Sequence, residues 1–242
     1  MTVLVTRPHK QGIALCQLLT QHGHQAIHHP LLNIVAGSDL HRLTAEIHQA
    51  DIVIAVSQHA VHWVTQTLQN EQVAWPQSTI YVAIGQKTAQ LFSKACQHTV
   101  HYPELSDSEH LLTLPVLQSI AGKRVVIWRG NGGRELIYHT LSLRGATVEY
   151  REMYQRIPLP FASDSALIDW QTQQVDNVII TSAEQLAFFC SQLSPQARDW
   201  TSQQRLIVPS QRIADQASQL GFHHIVQAGS AANQDLLAAV QS

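Results

Sequence analysis

Charge is scarce in this sequence: only 13% of its residues are Asp, Glu, Lys or Arg, and fifteen basic against seventeen acidic side chains leave a formal charge of -2. Without a broad positive field to hold a nucleic acid or an anionic membrane, any anion must be gripped by local groups. Cysteine is nearly absent too. Cys16, Cys96 and Cys190 are odd in number, far apart and set in apolar runs, which argues against a disulfide scaffold and fits reduced thiols in a reducing compartment. No stretch approaches the roughly 18 apolar residues of a membrane span. The apolar run in "MTVLVTRPHK" is too short for a secretory signal, and its positive charge comes after it. A soluble cytoplasmic protein that binds neither nucleic acid nor membrane is expected.

Chemical signatures are also missing. Fifteen histidines are many for this length, but they are scattered (among them His22, His24, His28, His29, His59, His62, His98, His101, His223 and His224). No H-E-x-x-H or Cys/His ligand spacing joins them, so they read as surface residues and no metal is expected. There is no G-x-S-x-G elbow, no cysteine with a base nearby in sequence, and no carboxylate pair in an apolar setting.

What is present is pattern. With 242 residues and 45% apolar content, the chain can bury one large core or two small ones. Short apolar runs of strand type recur, such as "TVLVT", "DIVIAVS", "RVVIW", "DNVIITS" and "RLIVPS". Between most of them lie amphipathic stretches such as "GIALCQLLTQHG" and "LIYHTLSLRG", each ending on a glycine stop. This alternation predicts an α/β fold with parallel sheets flanked by helices.

The chain also contains itself twice. "VTRPHKQGIALCQLLTQHGHQAI" aligns with "IWRGNGGRELIYHTLSLRGATVE", superposing Arg7 on Arg129 and Gly23 on Gly145; "DIVIAVSQHAVHWV" then aligns with "DNVIITSAEQLAFF", and "YVAIGQKTAQL" with "LIVPSQRIADQ". Two similar α/β domains of normal size follow, with the cleft between them as the expected ligand site. Proline-bearing stretches at 28–39 and 153–164 read as the crossings, because proline removes a ladder donor and holds its predecessor extended.

"RVVIWRGNGGREL" (124–136) looks like a dinucleotide turn, with Glu149 about 20 residues on as the ribose acid. Yet the third glycine of G-x-G-x-x-G falls on Glu135, and no lysine makes a Walker loop.

At the strand ends stand small or hydroxyl residues: Thr6, Ser57, Gly85 with Thr88, Thr181 with Ser182, and Ser210. All read as helix N-caps. In a parallel sheet these loops gather at the carboxyl ends of strands, where helix amides favour anions. Arg7, Arg129, Arg134, Lys87 and Arg212 sit in or beside them. Tyr154, in the second crossing, is expected to face the space between the domains, where a phenol can donate to a departing hydroxyl or simply plug the hinge.

The ordered set "VLVTRP", "DIVIAVSQHAV", "YVAIGQKTAQ", "WRGNGGREL", "LRGATVEYREMYQRIP" and "VIITSAEQL" resembles uroporphyrinogen-III synthase along essentially the full chain. The resemblance implies one discontinuous domain, 1–34 plus 158–242, a second at 38–153, and crossings at 35–37 and 154–157. It implies that linear hydroxymethylbilane is cyclised with loss of water and inversion of its last ring, with no metal or organic cofactor. A monomer is the default expectation, and a transient contact with hydroxymethylbilane synthase is a further one. Tyr154 falls on the tyrosine proposed to assist loss of the hydroxyl. Thr88, Ser57 and Ser182 match a threonine and two serines of the family, and Arg7 and Arg134 match commonly basic positions. Many relatives carry a glycine and threonines where this chain has Ser210, Gln211, Arg212 and Ile213; here Ser210, Gln211 and Arg212 are the donors. Two rival readings use the same residues: a non-catalytic binder of a small anion, and a nucleotide-dependent transferase or dehydrogenase built on the 124–136 loop.

Overall fold

A computed structural model describes residues 1–242. In chain order the elements begin with β1 (Thr2–Val5), α1 (His9–Gln21), β2 (Gln25–His28), β3 (Leu32–Ala36) and α2 (Leu43–Glu46). Next come β4 (Ile52–Ala55), α3 (Gln58–Asn70), β5 (Ile80–Ala83), α4 (Gln86–Cys96), β6 (Val100–His101) and α5 (Ser108–Leu111). Then follow β7 (Arg124–Arg129), α6 (Leu136–Leu143), β8 (Thr147–Glu152), β9 (Tyr154–Pro158) and α7 (Ser163–Thr172). The chain closes with β10 (Val175–Ile179), α8 (Ala183–Gln192), α9 (Pro195–Ser202), β11 (Arg205–Val208), α10 (Gln211–Gln219), β12 (His224–Gln227) and α11 (Asn233–Gln241).

The chain divides into two compact units, one of Met1–Asn33 with Ile157–Ser242 and one of Ile34–Arg156. β3 and β9, which carry the chain from one to the other, pair as a two-stranded sheet. The discontinuous unit holds a parallel sheet in the order β12-β11-β10-β1-β2, and the continuous unit a parallel sheet in the order β6-β5-β4-β7-β8. These are one arrangement. Starting the first unit at β10 and the second at β4, each sheet reads third, second, first, fourth, fifth, so the strand order reverses between β10 and β1 and between β4 and β7. The aligned repeats thus correspond strand for strand.

Alternation along each central strand feeds two cores. In β4, Val53 and Ala55 join an apolar cluster with Trp128 and Phe92, while Ile52 and Ile54 join one with Leu117 and Ile127 on the other face. In β1, Leu4 faces Trp170 and Phe189, and Val3 and Val5 face Leu15 and Leu236. A strand covered on both sides must be apolar throughout, which is why these runs do not alternate with polar residues. Each fully buried aliphatic or aromatic side chain stabilises its unit by about 1.5–3 kcal/mol. The glycine stops behave as such: Gly23 after α1 and Gly145 after α6 adopt φ of 81° and 83°, a left-handed turn that a side chain would strain.

The histidines correct one expectation. His22, His62, His223 and His224 are exposed, but His24, His28, His29 and His59 are half-buried. His29 stands edge-on to Phe161 and Trp170, with centroids at 4.7 and 5.3 Å. Cys16, Cys96 and Cys190 are unbonded to one another, and no helix is long and apolar enough to cross a membrane.

Candidate functional site

In open parallel sheets, ligands bind beyond the carboxyl ends of the strands where the order reverses. In the continuous unit that position is flanked by the loops after β4 and β7. Ser57, between β4 and α3, is extended and caps α3 by accepting from the His59 N–H at 3.0 Å. Arg129 ends β7 and is almost wholly buried. Its Nη1 donates to Glu135 Oε1 at 2.9 Å, and its guanidinium lies 4.2 Å above the Tyr150 ring. Tyr150 closes the triangle by donating to Glu135 Oε2 at 2.8 Å. Burial, then the Glu135 carboxylate, pushes the Tyr150 phenol up to about 12. Hydrogen bonds from Arg129 and Tyr150 hold Glu135 below the usual carboxylate range.

Beside this triangle lies a cavity of about 190 Å³ lined by Val56, Ile84, Ser108, Arg129, Gly132, Arg134 and Tyr150, among others. The glycine turn at its mouth is pinned to β9: Asn131 Nδ2 donates to the Arg156 carbonyl at 3.0 Å, and the Arg156 N–H donates to Asn131 Oδ1 at 2.9 Å. Arg134 is exposed and held by Glu109, its Nη1 2.9 Å from Oε2 and its Nη2 on Oε1. Thr88 is buried at the third position of α4.

The turn is a poor nucleotide site. Glu149 lies within β8, and its carboxylate already accepts from Arg124 at 3.4 Å and from Arg151, so it is not free for a ribose hydroxyl. Glu135, where a third glycine would be needed, makes the bonds just described.

Tyr154 begins β9 and is 7% exposed, packed in the cluster of Trp128 and Met153. Its ring lies 5.4 Å from that of His59, and its hydroxyl has no hydrogen-bond partner in the chain. His59, half-buried, is depressed below the ordinary histidine value by that burial, with His62 and Arg156 adding to the effect.

In the discontinuous unit the order reverses between β10 and β1. Ser182 caps α8 by accepting from the Gln185 N–H at 3.1 Å, while Gln185 Oε1 accepts from both the N–H and the hydroxyl of Thr181, at 3.2 and 3.1 Å. This is close to a capping box. Arg7, two residues past β1, is 9% exposed; Nη1 donates to Asn233 Oδ1, Nη2 to Gln11 Oε1 at 3.0 Å, and Nε has no partner. After β11, Ser210 stands at the start of α10 without capping it. Gln211 donates to Asp215 Oδ1 at 2.7 Å and accepts from Gln227 at 2.7 Å, and Arg212 is exposed.

The N-cap expectation therefore needs correcting. Ser57 and Ser182 cap with their side chains. Thr6 instead donates to the Ile179 carbonyl at 2.7 Å, tying β1 to β10, and α1 starts after Pro8. Gly85 has no side chain to cap with, Thr88 lies inside its helix, Thr181 precedes the cap, and Ser210 holds the position without the bond. Sequence reasoning missed Gln11, Asn233, Glu109, Glu135 and Tyr150 as partners of the arginines. No group of three or more His, Cys, Asp or Glu is placed to hold a metal ion.

The family described as uroporphyrinogen-III synthase HemD matches residues 14–238. The uroporphyrinogen-III synthase of Escherichia coli strain K12 is 39% identical over 246 residues, and that of Salmonella typhimurium 40% over 247, each covering 100% of both chains. Among solved structures, a mutant uroporphyrinogen III synthase from the extreme thermophile Thermus thermophilus superposes with a TM-score of 0.69 at 17% identity, covering 100% of this chain and 96% of that one. The uroporphyrinogen-III synthetase of Helicobacter pylori 26695 gives 0.60 at 14% identity, covering 99% and 97%. At such identities the structural likeness speaks to the fold.

Proposed function

Because this chain belongs to the uroporphyrinogen-III synthase family, we propose that it closes linear hydroxymethylbilane to uroporphyrinogen III, losing water and inverting the terminal pyrrole ring through a spiro intermediate. The full-length similarity to two synthases carries the reading. Loss of the hydroxyl yields an electron-poor azafulvene that needs little covalent help. The terminal ring attacks at its substituted carbon, and the spiro product fragments and recloses. Without an enzyme the same azafulvene closes to the uninverted isomer, so the protein's work is to impose geometry and keep water away. A chain without a nucleophile suits that work.

Tyr154 is assigned the assisting role: its phenol, unpartnered within the chain, donates to the departing hydroxyl. The substrate's carboxylates fall to groups at the strand ends of each unit. These are Arg7, Ser182, Ser210, Gln211 and Arg212 in the discontinuous unit, and Ser57, Thr88, Arg129 and Arg134 in the continuous one. Ser57 and Ser182 act through the helix amides they organise. Arg129 and Arg134, each already on a glutamate, offer their remaining N–H groups.

A coupled assay tests the reaction. Porphobilinogen and its deaminase are supplied, the protein is added, and the oxidised products are separated by isomer. Type III is expected; persistence of type I alone overturns the reading.

A further inference from the structure

The two arginines that the repeat superposes are neutralised differently. Arg129 carries its own carboxylate, Glu135. Arg7, only 9% exposed, makes no ion pair; its acceptors are the neutral amide oxygens of Gln11 and Asn233, and its Nε is unsatisfied. A buried cation without a counter-charge is costly.

Its surroundings raise that cost. Gln11 is the third residue of α1 and Asn233 the first of α11, so the guanidinium stands at the positive ends of two helices. Neither helix has a side-chain N-cap, and α1 has no acid in its first turn. The one acid in the first turn of α11, Asp235, is engaged by Ser230. Arg205 in the same unit shows the opposite placement, with its guanidinium donating to the Ala239 and Val240 carbonyls at the negative end of α11, at 3.0 and 3.2 Å. Burial also lowers the Arg7 pKa, which fits a cation that lacks its partner.

We propose that Arg7, with the first turns of α1 and α11, is an open carboxylate site that takes an acetate or propionate group of the substrate. Gln11 and Asn233 position the fork, and the matching arginine of the other unit, Arg129, is closed by Glu135. This rests on the synthase reading and narrows it: of the arginines offered to the substrate, Arg7 is the anchor, and Arg129 is secondary. The incoming oxygens lie across the fork, where Gln11 is exposed and Asn233 half-exposed, and accept from Nη1, Nη2 and uncapped helix amides.

Gln11→Glu tests this by supplying the missing carboxylate from within, as Glu135 does for Arg129. Asn233→Asp does so from the other side of the fork and serves if the first variant misfolds. Melting temperature in sodium succinate against sodium chloride at equal ionic strength reads the site without the reaction. Binding of uroporphyrin III, followed by fluorescence quenching, reads the macrocyclic ligand. The wild type is expected to melt higher in succinate. Gln11→Glu is expected to melt above the wild type in chloride, to lose the succinate gain, and to bind uroporphyrin III about tenfold more weakly, the scale of one hydrogen bond to a charged group. Equal succinate gain and equal porphyrin affinity in wild type and variants overturn the proposal, as does a wild type indifferent to succinate. A protein that fails the isomer assay yet loses its succinate gain in Gln11→Glu sinks the synthase reading and leaves the anion site standing.

Discussion

Tyr154 lies so close to Gly130 that a methyl group placed on the glycine would stand 2.7 Å from two atoms of the phenol ring and 3.1 Å from its oxygen. The glycine turn after β7 therefore sets where the phenol can be. Gly130→Ala is expected to displace the ring and lower turnover about as much as Tyr154→Phe, which removes only the hydroxyl. For Tyr154→Phe a fall of about 10²-fold in kcat is expected, the low end of general-acid effects, with the melting temperature little changed because the ring still fills its place. Near-normal kcat in Tyr154→Phe would leave the side chain a packing role alone.

Caps separate three serines that look alike in sequence. Ser57→Ala and Ser182→Ala each remove a bond to a helix amide and are expected to cost about 1 kcal/mol. Ser210→Ala removes none and is expected to stay within about 0.5 kcal/mol. Urea titration of the three variants checks the ranking; equal losses would refute it.

Thr88→Ala is expected to weaken catalysis modestly, by about 0.5–1.5 kcal/mol in kcat/KM, the range of one neutral hydrogen bond. A loss of several orders of magnitude would show that the hydroxyl takes part in bond-breaking.

Stability should fall on mild acidification. His29 and His59 are both depressed below the ordinary value of 6.5, chiefly by burial, so the unfolded chain takes up protons first as the pH drops. The stability they contribute is whole above the unfolded value and is lost as pH falls through it towards the folded values. The melting temperature is expected to decline between about pH 7 and pH 5.5, and the double variant His29→Asn, His59→Asn to decline less steeply. Parallel slopes would assign the effect to other groups.

The α/β class was legible because its signals are local: apolar runs of strand length, amphipathic stretches between them, and glycines that end α1 and α6 at matching places. The repeat was legible because both sheets use one strand order, so the same kinds of residue recur in the same sequence. The partners of the arginines were not. Gln11 is near Arg7 in sequence, but Asn233 is 226 positions away, and only the sheet brings β1 and α11 together. Along the chain Glu135 stands only where a third glycine would fall, though its position beside Arg129 and Tyr150 is what closes that cation. Thr6 and Ser57 both follow a strand, and nothing in their neighbourhoods tells that one ties two strands together while the other caps a helix.

The strand order of the discontinuous unit also sets a timetable. β1 sits between β2 and β10, and Thr2 pairs with both Gln25 and Val175. During synthesis β1, already beside β2, must wait until the whole of Ile34–Arg156 has been made before its other neighbour, β10, exists. The continuous unit draws all five of its strands from one stretch and can finish first. Contacts spanning so much chain close slowly, so the return of β10 to β1 is expected to be the slow step of folding, with the β10-facing edge of β1 exposed until then.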